Sequence, residues 1–230
     1  MKRILPIIIL FGLLASPLDA GDTIPVTILY TAASKGYFLP YKVYESPVFK
    51  KIDLEIGGRY GGYAAIAHLI GETRKETADK NGVFLLLDGG NSLLGSSEAN
   101  FFKGKVSIDF MNRMGYDAVT IANLDWTLGV DTVRKLAEEA SFPFLNANML
   151  EKETERHPSF LHPYTIIESG GLKIGVIGYA QHKLATWLDP ARVKGLKAWP
   201  ALPILRNYLK NLRALGVDLI IALDHTAQSN

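Results

Sequence analysis

Short apolar runs alternate along this chain with stretches in which apolar residues recur every three or four positions, the spacing of a helix buried on one side. Val26 to Thr31 is the first such run after the N-terminus and reads as a strand. Between Tyr60 and about Lys75, Ile66, Leu69 and Ile70 share one side, with Arg74, Lys75 and Glu76 beyond, which predicts an amphipathic helix. Val83 to Leu87 is uninterrupted and apolar, as in a strand covered on both faces, and ends at Asp88-Gly89-Gly90. Ile108, Met111 and Met114 lie at helical spacing within Val106 to Met114, and Gly115 is a natural stop. Asp117 to Ile121 reads as a strand, Asp131 to Ala140 as a helix, and Phe142 to Asn146 returns to the sheet through Pro143. Tyr164–Glu168 and Leu172–Ile177 are β-rich runs joined by Ser169-Gly170-Gly171, a hairpin signal. A helix over about Pro203 to Leu215 and a last buried strand over Val217 to Leu223 complete the pattern.

Strands alternating with helices predict an α/β fold with helices on both faces of a sheet. Sites in such folds form in the loops beyond the carboxyl ends of the strands. No interdomain linker interrupts the pattern, although residues 37–57 form a long insertion rich in Tyr, Pro and Lys. With 230 residues, 48% of them hydrophobic, the chain is large enough for one full core.

The first residues read as an export signal. Lys2 and Arg3 form a basic start, Ile4 to Leu14 an apolar stretch, and Ser16-Pro17-Leu18-Asp19-Ala20 a cleavage region. That stretch is well short of the about 20 residues that cross a bilayer. Residues 1–20 are therefore expected to be a signal peptide and 21–230 the folded domain, in the periplasm or secreted, with no stable membrane span after cleavage. An uncleaved N-terminal anchor is the alternative on the same residues. The sequence has no Cys, so neither a disulfide nor a lipid-modified N-terminal Cys is available. A net charge of +2, with 25 basic residues scattered along the chain, argues against a nucleic-acid partner.

The candidate chemistry lies in four loops that each follow an apolar strand: LYTAASKG (29–36), LLLDGGNSLLGS (85–96), YDAVTIANLDWTLG (116–129) and DLIIALDHTA (218–227). In order and surroundings they resemble the N-terminal catalytic domain of bacterial 5'-nucleotidases and UDP-sugar hydrolases, within the calcineurin-like metallophosphoesterases. Non-catalytic stretches add to the resemblance, which covers nearly all of residues 26–227. They are Gly57-Gly58 with Ala64 and Ala67, the segment Phe142 to Asn148, and Gly171 to Gly178. It implies a mixed-sheet α/β sandwich, incomplete at the C-terminus if the natural product ends at Asn230.

The resemblance also implies a pair of divalent metals held by a first-loop Asp-x-His, a second-loop Asp after Gly-Gly, an Asn-His-Glu motif and later His residues. Such enzymes hold two cations about 3.5–4 Å apart, which calls for anionic carboxylates. In this chain the first-loop Asp position is Ala33 and its His position is Lys35. The bridging Asp position is Asn91, the catalytic His position is Leu124, and the position of the Asp that assists it is Thr127. Asn123 and His225 retain their ligand types. The surviving metal candidates Asn91, Asn123 and His225 are neutral and vestigial, and Lys35 opposes a cation: like charges about 4 Å apart cost about 4 kcal/mol at an effective dielectric near 20. No catalytic residue is assigned.

The expectation is a degenerate 5'-nucleotidase-like protein without a resident cofactor, whose vacated site takes a small anion such as phosphate, sulfate or a nucleotide. Lys35, Asn91, Asn123 and His225 would be its ligand-binding residues. Two alternatives remain: a hydrolase of phosphate or sulfur esters with an altered site and a single Mn, Zn or Mg ion, or an inert interaction scaffold. Asp88, Asp125 and Asp224 lie near these loops and could join His225 in a rebuilt metal site, or orient the loops through backbone N–H groups. Ser92 and Thr127 lack an adjacent base in sequence. His68 reads as a helix residue, His157 and His162 as surface residues, and His182 as a rim contact. Trp126, Trp187 and Tyr179 read as core or rim packing.

Overall fold

The computed structural model describes residues 23–42, 59–184 and 188–226. The signal segment, most of the insertion with Gly57-Gly58, Trp187 and the last four residues lie outside the described residues. In chain order the elements are β1 (Val26–Thr31), β2 (Tyr41–Lys42), β3 (Arg59–Tyr60), α1 (Tyr63–Asp79), β4 (Val83–Asp88), α2 (Ser97–Phe101), α3 (Lys105–Met114) and β5 (Ala118–Thr120). There follow α4 (Val130–Glu139), β6 (Phe144–Leu145), β7 (Met149–Glu151), β8 (Tyr164–Ser169), β9 (Leu172–Ala180), β10 (Leu196–Ala198), α5 (Ala201–Ala214) and β11 (Leu219–His225).

One sheet has the order β1-β4-β5-β6, all parallel, and a second has the order β11-β9-β8, with β9 parallel to β11 and antiparallel to β8. The β4 strand shows why they stack. Val83, Leu85 and Leu87 point to one face and join Ile174, Val176 and Leu223 of the second sheet in a shared core. Leu86 points the other way, into a cluster with Ile70 of α1 and Ile108 and Met111 of α3. α5 covers the outer face of the second sheet through Leu205, packed with Ile177. The layers are therefore helix, sheet, sheet, helix: the mixed-sheet α/β sandwich that the resemblance implies. Gly178 lets the sheets approach, because a Cβ there would lie 2.6 Å from both Leu145 Cβ and Thr120 Oγ1.

Several boundaries differ from those read in the sequence. α1 begins at Tyr63 rather than Tyr60, because Tyr60 pairs with Tyr41 in the β2–β3 ladder and Gly61 and Gly62 both take positive φ. β9 extends past Ile177 to Ala180, carried by its ladder with β11. α5 starts two residues before Pro203, which fits within the first turn because its missing N–H has no helical partner there. The pair β7–β10 and the short helix α2, whose N-cap Ser96 Oγ accepts from Ala99 N at 3.0 Å, had no periodic signal. Among the described residues no helix is long and apolar enough to cross a membrane.

Candidate functional site

The parallel ladders put the loops after β1, β4 and β5 at one end of their sheet, and the end of β11 meets them through His225, which contacts Asn91 and Gly89. Ala33 N donates to Gly90 O at 2.8 Å, which locks the first loop on the second. Ala33, Lys35 and Asn91 have φ of 50°, 52° and 57°. Left-handed backbone is uncommon outside Gly, and three such residues in two touching loops mark a tightly specified surface.

Asn91, Asn123 and His225 are joined by hydrogen bonds. Asn91 Nδ2 donates to Asn123 Oδ1 at 3.1 Å and lies 2.7 Å from His225 Nε2, while Asn91 Oδ1 accepts Leu124 N–H at 2.8 Å. His225 Nδ1 lies 2.7 Å from Gly89 O. A carbonyl oxygen only accepts, so Nδ1 carries the ring proton and Nε2 presents a lone pair to the Asn91 amide. Flipping that amide would set oxygen against oxygen, lone pair against lone pair, and N–H against N–H. Its orientation is thus fixed by chemistry. Both Asn91 N–H protons are committed inside the protein, which removes Asn91 from the donors expected for an anion.

The neighbouring carboxylates hold loops. Asp88 accepts from Thr31 Oγ1 at 2.6 Å, Gly90 N at 2.7 Å and Ser92 Oγ at 2.8 Å. Asp125 accepts from Asn91 N at 2.8 Å, Ala122 N at 3.0 Å and Leu93 N at 3.1 Å. Both are fully buried, and burial pushes both carboxyls up against the pull of those donors. Asp224 points away from His225, as alternation along β11 demands, is exposed, and accepts from Thr226 N. Ser92, beside the Asp88 carboxyl, is 1% exposed and out of a substrate's reach. Thr127 Oγ1 donates to Leu124 O.

The Asp88 carboxyl is raised from 3.8 to about 7, chiefly by burial. The folded protein therefore keeps this proton where the unfolded chain has lost it. The resulting stability is present in full below about pH 4 and is lost as pH rises through about 7. Asp88→Asn is expected to flatten that fall in unfolding free energy, measured by urea titration at stepped pH. An unchanged slope would show that another group causes it.

Lys35 is exposed and lines a cavity of about 560 Å³ with Ala33, Ser34, Tyr37, Gly61, Gly62 and Ile66. Leu124, at the position where the resemblance implies a catalytic His, is 40% exposed. His182 is exposed in a separate cavity with Tyr179, Lys183 and Asp224, on the α5 side of the second sheet. His68 is exposed on α1, and His162 is exposed. His157 departs from the surface reading: it is half-buried, with Nε2 2.7 Å from Tyr208 OH. Trp126 is fully buried in the core. The functionally placed groups that sequence reasoning missed are Gly89, whose carbonyl sets the His225 tautomer, and Tyr30, whose hydroxyl lies where a Gly89 Cβ would be.

This layered fold with its loop-borne site is that of the calcineurin-like metallophosphoesterases. The chain belongs to the 5'-nucleotidase family within them, as a relative of its N-terminal domain. It is 35% identical over 173 residues to a snake venom 5'-nucleotidase of Crotalus adamanteus, a match covering 74% of this chain and 28% of that protein. Among solved structures, the calcineurin-like phosphoesterase YfkN of Bacillus subtilis superposes with a TM-score of 0.70 at 26% identity, over 89% of this chain and 64% of that one. The sulfate thiohydrolase SoxB of Thermus thermophilus, in complex with glycerol, gives a TM-score of 0.78 at 21% identity over 91% of this chain and 45% of that one, and so shares the fold. No protein-family model matches the chain. It spans under a third of the length of the venom relative.

The family normally depends on divalent metal, and the residues present here do not fit a metal pair. The positions to which the resemblance assigns ligands and catalysis hold Ala33, Lys35, Asn91, Asn123, Leu124 and His225, with no carboxylate among them. The lone pair of His225 Nε2 and one of the two on Asn123 Oδ1 already accept Asn91 N–H groups. Among the described residues, no three His, Cys, Asp or Glu side chains gather to hold a metal ion.

Proposed function

We propose that this is an exported, periplasmic or secreted 5'-nucleotidase-like protein that binds a small anionic ligand and lacks the family's metal-dependent hydrolysis. The observation that carries this reading is the closed Asn91–Asn123–His225 network. It spends on internal hydrogen bonds the side chains that would hold a nucleophile-activating cation. Two-metal hydrolysis needs that cation to generate the attacking water and to bear phosphoryl charge. Leu124 supplies neither a proton nor a hydrogen bond at its position. For the anion, the Lys35 ammonium is a compact charge suited to a phosphate or sulfate oxygen. The Asn123 amide nitrogen is the second donor, since the Asn91 protons are spent. Export is supported by the basic and apolar opening residues Lys2 to Leu14.

Thermal unfolding in phosphate, sulfate or AMP tests the reading. At 100 times its dissociation constant a ligand stabilises by about 2.7 kcal/mol, a rise of roughly 5–10 °C for a domain this size. Lys35→Ala is expected to abolish the rise while leaving the unliganded melting temperature unchanged. No rise with any of the three, or an equal rise in the variant, would leave the fold as an interaction scaffold. Metal-dependent turnover would instead establish a hydrolase with an altered site.

A further inference from the structure

We infer that the Asn91 side-chain amide takes the structural place of a bound cation, closing the site by hydrogen bonding and making its integrity independent of metal. The inference rests on the proposed loss of the metal pair and deepens it. A cation between loops works by accepting lone pairs from side chains on separate elements. The Asn91 amide does the same with two protons. One fills the lone pair of His225 Nε2 on β11, and the other fills one of the two on Asn123 Oδ1 after β5. The loops after β4 and β5 and the end of β11 are thereby tied at one side chain. The far side is held too, since Leu124 N–H donates to Asn91 Oδ1 and the Gly89 carbonyl fixes the imidazole through Nδ1.

The amide is held in place by its own backbone. Asn91 N–H donates to the buried Asp125 carboxylate, and its φ of 57° is a conformation that Asn tolerates better than most residues. Asn91 is 7% exposed, so water does not compete freely for these bonds. The arrangement depends on nitrogen rather than oxygen at a single atom. A carboxylate of the same shape has no protons to give. It would set a second oxygen against Asn123 Oδ1 and the lone pair of His225 Nε2, converting a satisfied cluster into three converging lone-pair donors. Such a cluster is satisfied by a divalent ion, for which carboxylate, amide oxygen and imidazole are all competent ligands.

The test uses the full mature chain, with Mn²⁺, Zn²⁺ and EDTA as probes and melting temperature and bound metal as readouts. Wild type is expected to melt at one temperature in all three and to carry no stoichiometric metal. Asn91→Asp preserves shape and tolerance of left-handed backbone. It is expected to melt roughly 5–10 °C lower in EDTA, as befits the loss of two partly buried hydrogen bonds. It should regain most of that difference in saturating Mn²⁺ or Zn²⁺ while binding one ion. Asn91→Gly, which keeps the φ and removes the side chain, is expected to be destabilised equally in EDTA and in metal.

An Asn91→Asp protein as stable as wild type in EDTA, or one that metal does not rescue, overturns the inference while leaving the proposed function standing. Should Asn91→Asp fold only when refolded with metal, the inference is supported. Should it fold under neither condition while Asn91→Gly is as stable as wild type, the inference fails. Two tightly held metals on the wild-type chain would overturn the proposed function itself.

Discussion

Hydrolysis of AMP or of a UDP-sugar by the purified protein in excess Mn²⁺ or Zn²⁺ is expected to stay at the level of a no-enzyme control. Loss of one preorganised electrostatic contact typically costs about 10²–10³-fold in rate. By the family resemblance, the first-loop ligand positions fall on Ala33 and Lys35, the bridging position on Asn91 and the catalytic position on Leu124. Even with partial redundancy among them, the combined loss exceeds the sensitivity of a phosphate-release assay. The informative control is His225→Ala. Any background reaction should be indifferent to it, whereas metal-dependent turnover that disappears in this variant would refute the non-catalytic reading.

The second large effect concerns Asp125 and reads stability rather than activity. Its carboxylate accepts backbone N–H groups from Asn91, Leu93 and Ala122, and so fastens the loop after β4 to the loop after β5. The group is 1% exposed, and nothing suggests that water would replace the three bonds. Asp125→Ala leaves three buried donors unpaired. At about 1–3 kcal/mol for each orphaned group, partly relieved by relaxation, a loss of roughly 3–5 kcal/mol is expected. Urea unfolding would register this as a lower midpoint with an unchanged slope. A change below about 1 kcal/mol would mean that the loops are held by other contacts.

The long, strongly patterned elements were legible in the sequence. The Val83 run read as a strand because an interior strand shows its burial as unbroken apolarity, whereas Val26–Thr31, an edge strand with Ile28 and Tyr30 exposed, was legible from its β-rich composition. The Gly115 stop of α3 was readable because it takes left-handed backbone. The start of α1 was misread at Tyr60, since nothing local announces that this residue pairs with Tyr41, on the far side of the insertion. The division into two sheets came from the family resemblance and not from periodicity, because strand pairing is a property of partners distant in sequence. At the site, the residue types at Ala33, Lys35, Asn91, Asn123, Leu124 and His225 were readable by position. That Asn91 turns its protons inward was not, because it depends on the tautomer of a ring set by a backbone carbonyl. Asp88 and Asp125 were correctly weighed as loop-orienting groups, yet their three-donor cradles exist only once the loops meet.

The hydrogen bond between Asn91 and His225 joins residues 134 positions apart in the chain. A ribosome adding roughly 5–20 residues per second needs on the order of ten seconds to make the second after the first. Throughout that interval the loop after β4 must wait with its amide unsatisfied, and Leu223, which fills the space between the sheets, is also missing. Docking of β11 therefore supplies both the seal on the core and the last member of the polar cluster in one event. A nascent chain halted before His225 would expose a half-built sandwich, a natural substrate for proteases and holdases. Acquisition of protease resistance should consequently rise abruptly with β11 rather than gradually with length.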